Sequence, residues 1–292
     1  MKILLSGNQA IALGAYESGV SVAAAYPGTP STEILETIAR KYPEIYAQWS
    51  PNEKVAFEVC MGCSFAGGRA LVAMKHVGVN VAADPLFTLS YTGIKGGFVL
   101  ISADDPGMHS SQNEQDNRNY ARFAKVPMLE PSDSQECKDF VKLAFQISEQ
   151  FDTPVIVRTT TRISHSESLV VPGERENISK PSGFVRDLQK YVMIPAYARL
   201  RHKVVEERLK RLSEYSEITP VQKMEIRDNK IGIVTSGVSY NYCKEVMPEA
   251  SILKLGFTNP IPKNLIREFA NKVEKLYVVE ELDPFLENQI RE

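Results

Sequence analysis

The stretch Tyr46-Ala47-Gln48-Trp49-Ser50-Pro51-Asn52-Glu53-Lys54-Val55-Ala56-Phe57-Glu58-Val59-Cys60-Met61-Gly62-Cys63-Ser64-Phe65-Ala66-Gly67-Gly68 carries a short strand through a proline turn into a helix of small residues. A strand that feeds a helix directly is the repeating unit of a parallel sheet covered by helices, so the fold class reads as α/β. The Glu53 carboxylate falls at the mouth of a helix whose sides are too small and apolar to face water. Burial there would disfavour the charged form, raise the carboxyl's pKa and let it exchange a proton with a bound heterocycle near neutral pH. A plainer reading stands beside this one. Ser50-Pro51-Asn52-Glu53 fits a capping box with Ser50 as N-cap, Pro51 at N1 and Glu53 at N3.

The same alternation extends on both sides. Upstream, residues 8–18 read as a helix, 20–26 as a buried strand and 30–41 as a helix. Downstream, 69–75 reads as strand, 80–91 as helix and 97–103 as strand; a polar loop then covers 104–116 before a helix to about Phe123. Residues 126–130 form a short strand, 133–150 a helix opened by the capping box Ser132-x-x-Gln135, and 154–160 the last of six strands. The first domain is thus expected over 1–171. Residues 172–228 read as a polar, proline-bearing linker followed by a charge-rich helix. A second, smaller α/β unit occupies 229–292 and stops inside a periodic segment without a C-cap signal, as if cut from a longer chain.

Composition narrows the partners. With 292 residues, 34 Lys+Arg against 36 Asp+Glu and a formal charge of -2, the chain has no global basic field for nucleic acid or an anionic membrane. Polar and glycine residues interrupt every apolar run before the roughly 18 residues of a membrane span. Four scattered cysteines are too few for a disulfide scaffold and the N-terminus is too short for a signal segment, so a cytoplasmic protein is expected.

Three other motifs bear on chemistry. Tyr26-Pro27-Gly28-Thr29-Pro30 leaves a strand and enters a helix, with Thr29 as N-cap and Pro30 at N1; such a terminus either simply caps the helix or attracts a substrate carboxylate. It shares a sheet edge with Glu53, the carboxyl edge where ligands collect in parallel folds. The loop 104–116 lies at that edge too, with His109 and Gln112 its most versatile side chains, and is either functional or a solvated loop around the turn Asp105-Pro106-Gly107. Cys60-x-x-Cys63 has no second ligand pair, so it reads as core packing, and no metal ligand is assigned. No phosphate-binding or dinucleotide glycine motif occurs in a strand-to-helix turn.

Five blocks together are more specific: Ser6-Gly7-Asn8-Gln9-Ala10-Ile11-Ala12, Gly28-Thr29-Pro30-Ser31, Asn52-Glu53-Lys54-Val55-Ala56, the run from Ala103 to Asp116, and Leu129-Glu130-Pro131-Ser132-Asp133. On these the chain resembles the α subunits of indolepyruvate:ferredoxin oxidoreductases, a branch of the thiamine-diphosphate-dependent 2-oxoacid:ferredoxin oxidoreductases. The resemblance implies a Rossmann-like, doubly wound pyrimidine-binding domain over 1–171 and the start of a transketolase-C-like swivel domain over 229–292. It implies that Glu53 activates the cofactor's aminopyrimidine and that Gly28 lies against it. Thr29 would approach the substrate carboxylate, with His109 and Gln112 in the substrate pocket.

A glutamate that protonates N1′ favours the imino tautomer, whose nitrogen removes the thiazolium C2 proton; a raised-pKa carboxyl is what the protein must supply. The family also implies oxidative decarboxylation of an arylpyruvate, transfer of the acyl group to coenzyme A and of electrons through iron–sulfur clusters to ferredoxin. The Gly-Asp-Gly motif for diphosphate and Mg²⁺ and the cysteine-rich segment for iron–sulfur clusters are both missing from this sequence. Those groups are therefore expected elsewhere, on the rest of the α subunit, another copy of it or a β subunit. The small-residue face of the Glu53 helix is expected to pair copies into a homo-oligomer. Two alternatives stay open: a non-catalytic assembly module of the same fold, and a thiamine-dependent 2-oxoacid decarboxylase subunit.

Overall fold

The computed structural model describes residues 1–178 and 181–292. The chain begins with β1 (Ile3–Ser6), α1 (Gly7–Glu17), β2 (Val22–Ala25), α2 (Thr32–Lys41), β3 (Tyr46–Trp49), α3 (Glu53–Phe65) and β4 (Ala70–Lys75). Next come α4 (His76–Val81), α5 (Ala83–Thr92), β5 (Phe98–Asp104), α6 (Arg118–Ala124), β6 (Met128–Leu129), α7 (Ser134–Phe151), β7 (Val155–Thr160), α8 (Thr161–His165) and β8 (Glu167–Val170). The remainder is α9 (Leu188–Tyr191), α10 (Pro195–Ile218), β9 (Lys223–Glu225), β10 (Asp228–Thr235), α11 (Ser239–Val246), β11 (Ala250–Lys254), β12 (Phe257–Asn259), α12 (Lys263–Ala270), β13 (Lys275–Val279) and α13 (Phe285–Arg291).

The main sheet has the order β12-β6-β7-β5-β4-β2-β3. Its six strands β2 to β7 are parallel; the inner strands β4, β5 and β7 are buried along nearly their whole length, with helices covering both faces, whereas the edge strand β3 is partly exposed. Alternate residues serve opposite layers: Leu71, Val99, Ile101 and Val157 face a core with Ile11, Ile34 and Phe145 of α1, α2 and α7. Val72, Leu100 and Ile156 face Phe57, Val79 and Leu86 of α3, α4 and α5. Fully burying such a side chain contributes about 1.5–3 kcal/mol, which makes this two-layer core the main source of stability. A second sheet, β13-β10-β11-β9, has β10 parallel to both neighbours.

The six parallel strands match the sequence reading, with two additions. Three residues from the second unit, β12, pair antiparallel with β6 and form the seventh strand of the main sheet. Ile3–Ser6, unassigned from sequence, pairs antiparallel with β8. Both are long-range pairings of segments too short to show a period. The single helix expected over 80–91 is two, broken at Ala82 where the backbone leaves helical geometry.

Three N-caps sit later than expected. Ser50 still belongs to the sheet, its N–H donating to Ala25 O at 2.9 Å, and Asn52 caps α3 by accepting from Val55 N at 2.9 Å; Glu53 is therefore N1, not N3. A turn from Gly28 O to Ser31 N at 2.9 Å precedes α2, so Thr29 is not its cap and Pro30 is not its first residue. Asp133, not Ser132, caps α7, accepting from Glu136 N at 2.8 Å.

The stretch expected as a free linker is strapped down at its start: Arg175 donates to Tyr16 O and Val20 O, and Glu176 pairs with Arg69 at 2.7 Å. Farther on, α10 docks through Arg201 and Arg208 onto the carbonyls of Tyr91, Ser90 and Asp152. No helix among the described residues is long and apolar enough to cross a membrane.

Candidate functional site

Parallel strands end together, and the segments after β2, β3, β4 and β5 meet at one edge. After β2 comes Gly28, whose carbonyl accepts from Ser31 N and Oγ and whose N–H donates to Thr32 Oγ1 at 2.9 Å. After β3 comes Glu53, at the first position of a 13-residue helix. β4 ends on Lys75, and His76 and Gly78 of α4 follow with no intervening loop. After β5 comes the long polar loop.

Glu53 is half-buried rather than buried, which corrects the desolvated setting expected of it. The helix mouth is open because the turn at 51–52 is itself exposed. The side chain lies flat against α4: a Cβ on Gly78 would stand 2.7 Å from Glu53 Cγ and Oε1. Only glycine leaves room for the glutamate there. Among the described residues no protein group donates a hydrogen bond to this carboxylate, so it remains a free acceptor.

Lys75 makes the neighbouring contact. Its stem crosses Gly28, where a Cβ would meet Lys75 Cδ at 2.9 Å, and its Nζ donates to Ser110 O at 2.8 Å. The next residue, His76, is fully buried and donates from Nε2 to Asn113 O at 3.0 Å, while Nδ1 has no partner. Asn117 closes the loop, its amide donating to His76 O at 3.1 Å and Ser102 Oγ at 2.9 Å. The loop also braces itself. Asp105 accepts from Ser110 N, Ser111 Oγ and Thr161 Oγ1 at 2.7–2.8 Å. Partial burial works to raise the Asp105 carboxyl, but these donors outweigh it and hold it at about 2. Glu114 accepts from Gly107 N at 2.6 Å.

Of the residues singled out from sequence, Gly28 is joined to the loop through Lys75, and half-buried Thr29 adjoins it. His109 is exposed, its ring 3.4 Å from where a Gly107 Cβ would be. Gln112 is also exposed, and no hydrogen bond fixes its side chain among the described residues. Lys75, His76 and Gly78 escaped the sequence reading. The available signal was their position, directly after a buried strand at the same edge as Thr29 and Glu53. Cys60 and Cys63 direct their sulfurs at Leu71 O (3.3 Å) and Arg69 O (3.8 Å), and burial pushes the Cys63 thiol up to about 11.

The other half of the edge is sealed. Arg158 pairs with Asp104 at 2.6 Å and with Glu130, and lies 3.7 Å from Asp116. Burial alone would lower the Arg158 pKa, but the three carboxylates hold it well above its usual range. Arg118 pairs with Asp116 at 2.5 Å and reaches into the second unit, to Glu280 at 2.6 Å, Glu281 O at 2.7 Å and Asp283 O at 3.0 Å.

Residues 13–227 match the family described as pyruvate flavodoxin/ferredoxin oxidoreductase, thiamine-diphosphate-binding. A protein named indolepyruvate oxidoreductase subunit IorA from Archaeoglobus fulgidus is 46% identical over 302 residues, covering 99% of this chain and 48% of that protein. Its namesake from Pyrococcus horikoshii is 48% identical over 303 residues, covering 99% and 47%. The chain thus spans about half the length of the curated relatives it matches.

A 2-oxoglutarate:ferredoxin oxidoreductase from Magnetococcus marinus, solved with 2-oxoglutarate, coenzyme A and succinyl-CoA bound, superposes with a TM-score of 0.80 at 18% identity, over 99% of this chain and 60% of that one. A split-gene transketolase, an inactive β4 tetramer, superposes at 0.58 and 14% identity, over 94% and 78%. At those identities the two structures speak for the fold, an α/β arrangement with a mainly parallel sheet. The family match over 13–227 goes further: this chain belongs to the thiamine-diphosphate-binding pyruvate flavodoxin/ferredoxin oxidoreductase family.

Proposed function

We propose that this chain supplies the aminopyrimidine-activating half-site of a thiamine-diphosphate-dependent oxidoreductase that converts arylpyruvates, indolepyruvate among them, to acyl-CoA. The observation that carries the reading is Glu53: a carboxylate at the carboxyl edge of a parallel sheet, cleared by Gly78 and left without a protein donor. A carboxylate in that state suits a ring nitrogen of a heterocycle, which must both give and take a proton. When bound, the cofactor supplies the nucleophilic carbon that 2-oxoacid decarboxylation requires. Glu53 holds the proton at the pyrimidine N1′ atom, and the Gly28 backbone lies against the ring. Thr29 faces the substrate carboxylate, and the loop with His109 and Gln112 borders the pocket and limits water.

Among the described residues no cluster of three or more His, Cys, Asp or Glu could hold a metal ion. In this reading Mg²⁺ at the diphosphate and the iron–sulfur clusters that pass electrons to ferredoxin belong to the rest of the α subunit, another copy of it or a β subunit. The pyrimidine-binding unit spans 1–171, a linker and charged helix 172–228, and a transketolase-C-like unit starts at 229. The assembly is a cytoplasmic homo-oligomer.

The test is Glu53→Gln in the full-length subunit within the assembled enzyme. Turnover is expected to fall by about 100-fold or more with the melting temperature unchanged, because the amide keeps the shape and loses the proton. Near-normal turnover would leave Glu53 a helix-end residue and favour the assembly-module alternative.

A further inference from the structure

At the carboxyl edge of the main sheet, four cations among the described residues are matched to carboxylates. Lys54 pairs with Asp84 at 2.9 Å, Arg158 with Asp104, Arg118 with Asp116 and Glu280, and Arg162 with Glu281 at 2.8 Å. Lys75 differs: among the described residues its ammonium has no carboxylate within 4.0 Å and donates once, to Ser110 O. Two of its three donors remain free.

The carboxylates near it on the loop are already spent. Asp105 is saturated by Ser110, Ser111 and Thr161, and Glu114 is turned back to Gly107 N. The stem of Lys75 is held in place from below, pressed on Gly28, so the charge stands beside the turn that carries Thr29. A positioned ammonium with unused donors is suited to an incoming anion, since its placement is fixed before the ligand arrives.

We propose that Lys75 is the cation that binds the substrate's carboxylate. The assignment rests on the reading of the site given above, in which the substrate is a 2-oxoacid. That class carries one fixed negative charge, next to the carbon that reacts, and Thr29 offers it only a hydroxyl. Lys75 supplies the opposite charge. Through Ser110 it also ties the seating of the carboxylate to the position of the loop.

The experiment uses the assembled enzyme with Lys75→Gln and Lys75→Arg, and compares an arylpyruvate with its uncharged methyl ester. Binding of each to the cofactor-loaded, electron-acceptor-free enzyme is measured by calorimetry, and steady-state kinetics are run on the acid. Lys75→Gln is expected to weaken the acid by about 10- to 100-fold, the loss of a charged hydrogen bond, and to leave the ester within about 3-fold. KM should rise more than kcat falls, and Lys75→Arg should restore most of the acid's affinity. Equal weakening of acid and ester would make Lys75 a loop tether only, and no weakening of either would remove it from the site; each overturns the assignment. Glu53→Gln separates the two levels. If that variant is inactive yet Lys75→Gln keeps the wild-type acid-to-ester ratio, the assignment of Lys75 fails alone; if Glu53→Gln turns over normally, the cofactor reading fails whatever Lys75 does.

Discussion

The carboxyl edge of the main sheet is used in two opposite ways along its length. Beside β5, β6 and β7 the charges of Asp104, Asp116, Glu130, Arg118 and Arg158 are buried and paired, and the second unit closes over them through Glu280 and the carbonyls of Glu281 and Asp283. Beside β2, β3 and β4 the half-buried residues Glu53 and Lys75 have no ion-pair partner among the described residues, and each is laid against a glycine. Matched charges out of water hold two units in register and are costly to break. Unmatched charges at a wet edge keep their acceptors and donors for a ligand. The same strand ends therefore make a joint on one side and, on the other, the edge where we propose the site.

The largest expected effect is at the joint. Arg158→Met removes the counter-ion of Asp104 and Glu130, leaving Asp116 to Arg118, and should cost about 3–5 kcal/mol in chemical denaturation, the usual range for stranding a buried charge. A loss under about 1 kcal/mol would mean that the carboxylates take up protons readily and the joint is not ionic. At the site the prediction inverts. Gly78→Ala places a methyl 2.7 Å from Glu53 Cγ and Oε1 and should lower turnover of the full enzyme by about 10-fold or more while stability moves by less than about 1 kcal/mol. Unchanged turnover would show that Glu53 can work from another rotamer.

Acid probes a second contact between the two units, where Glu136 of α7 pairs with Lys223 of β9 and Lys254 of β11. Desolvation would raise the Glu136 carboxyl, but Lys254 and Lys223 outweigh it and hold it at about 2, against 4.5 for the free group. A folded-state pKa below the unfolded one gives stability that is complete above about pH 4.5 and is lost as pH falls toward 2. Glu136→Gln should flatten the stability profile in that window, as read from denaturant midpoints between pH 5 and pH 2. A profile as steep as the wild type's would assign the acid sensitivity to other carboxylates.

The smallest effect is on α3. A Cβ at Gly62 meets nothing within 4 Å, so Gly62→Ala should stabilise this chain by about 0.5–1 kcal/mol through helix propensity alone. If the full assembly loses subunits on the same change, the bare helix face is where another backbone comes close. If assembly is untouched, the run of small residues serves the internal core.

How far the sequence reached follows the same division. The inner parallel strands were legible because they are buried on both sides and begin as apolar runs; the partly exposed edge strand β3 was legible because it leads directly into the Glu53 helix. Glu53 was legible because strand, turn and helix follow each other in 20 residues. Its setting was not, since exposure of a helix mouth depends on which residue caps the helix, and Ser50, Asn52 and Glu53 all offer oxygens. Only the sheet hydrogen bond of Ser50 to Ala25 decides the register. The joint was invisible from sequence: Arg118 and Glu280 lie far apart in the chain, and nothing local in either announces the other. Lys75 was passed over for a different reason. A single lysine after a strand is ordinary, and it becomes informative only once every neighbouring cation has been matched to its carboxylate.

The three-residue strand β12 has a consequence for how this molecule can be divided. Phe257 and Asn259 complete the outer border of the first sheet, with the Asn259 amide also donating to Val126 O at 2.7 Å. A chain severed anywhere before them would leave Met128 and Leu129 as a raw hem with unclaimed backbone groups, an invitation to stray strands. The covalent order of the two units and the order in which they seal each other are therefore different things. The selvedge of the first is woven from the thread of the second, so a cut that keeps the first unit's border finished has to carry that thread along.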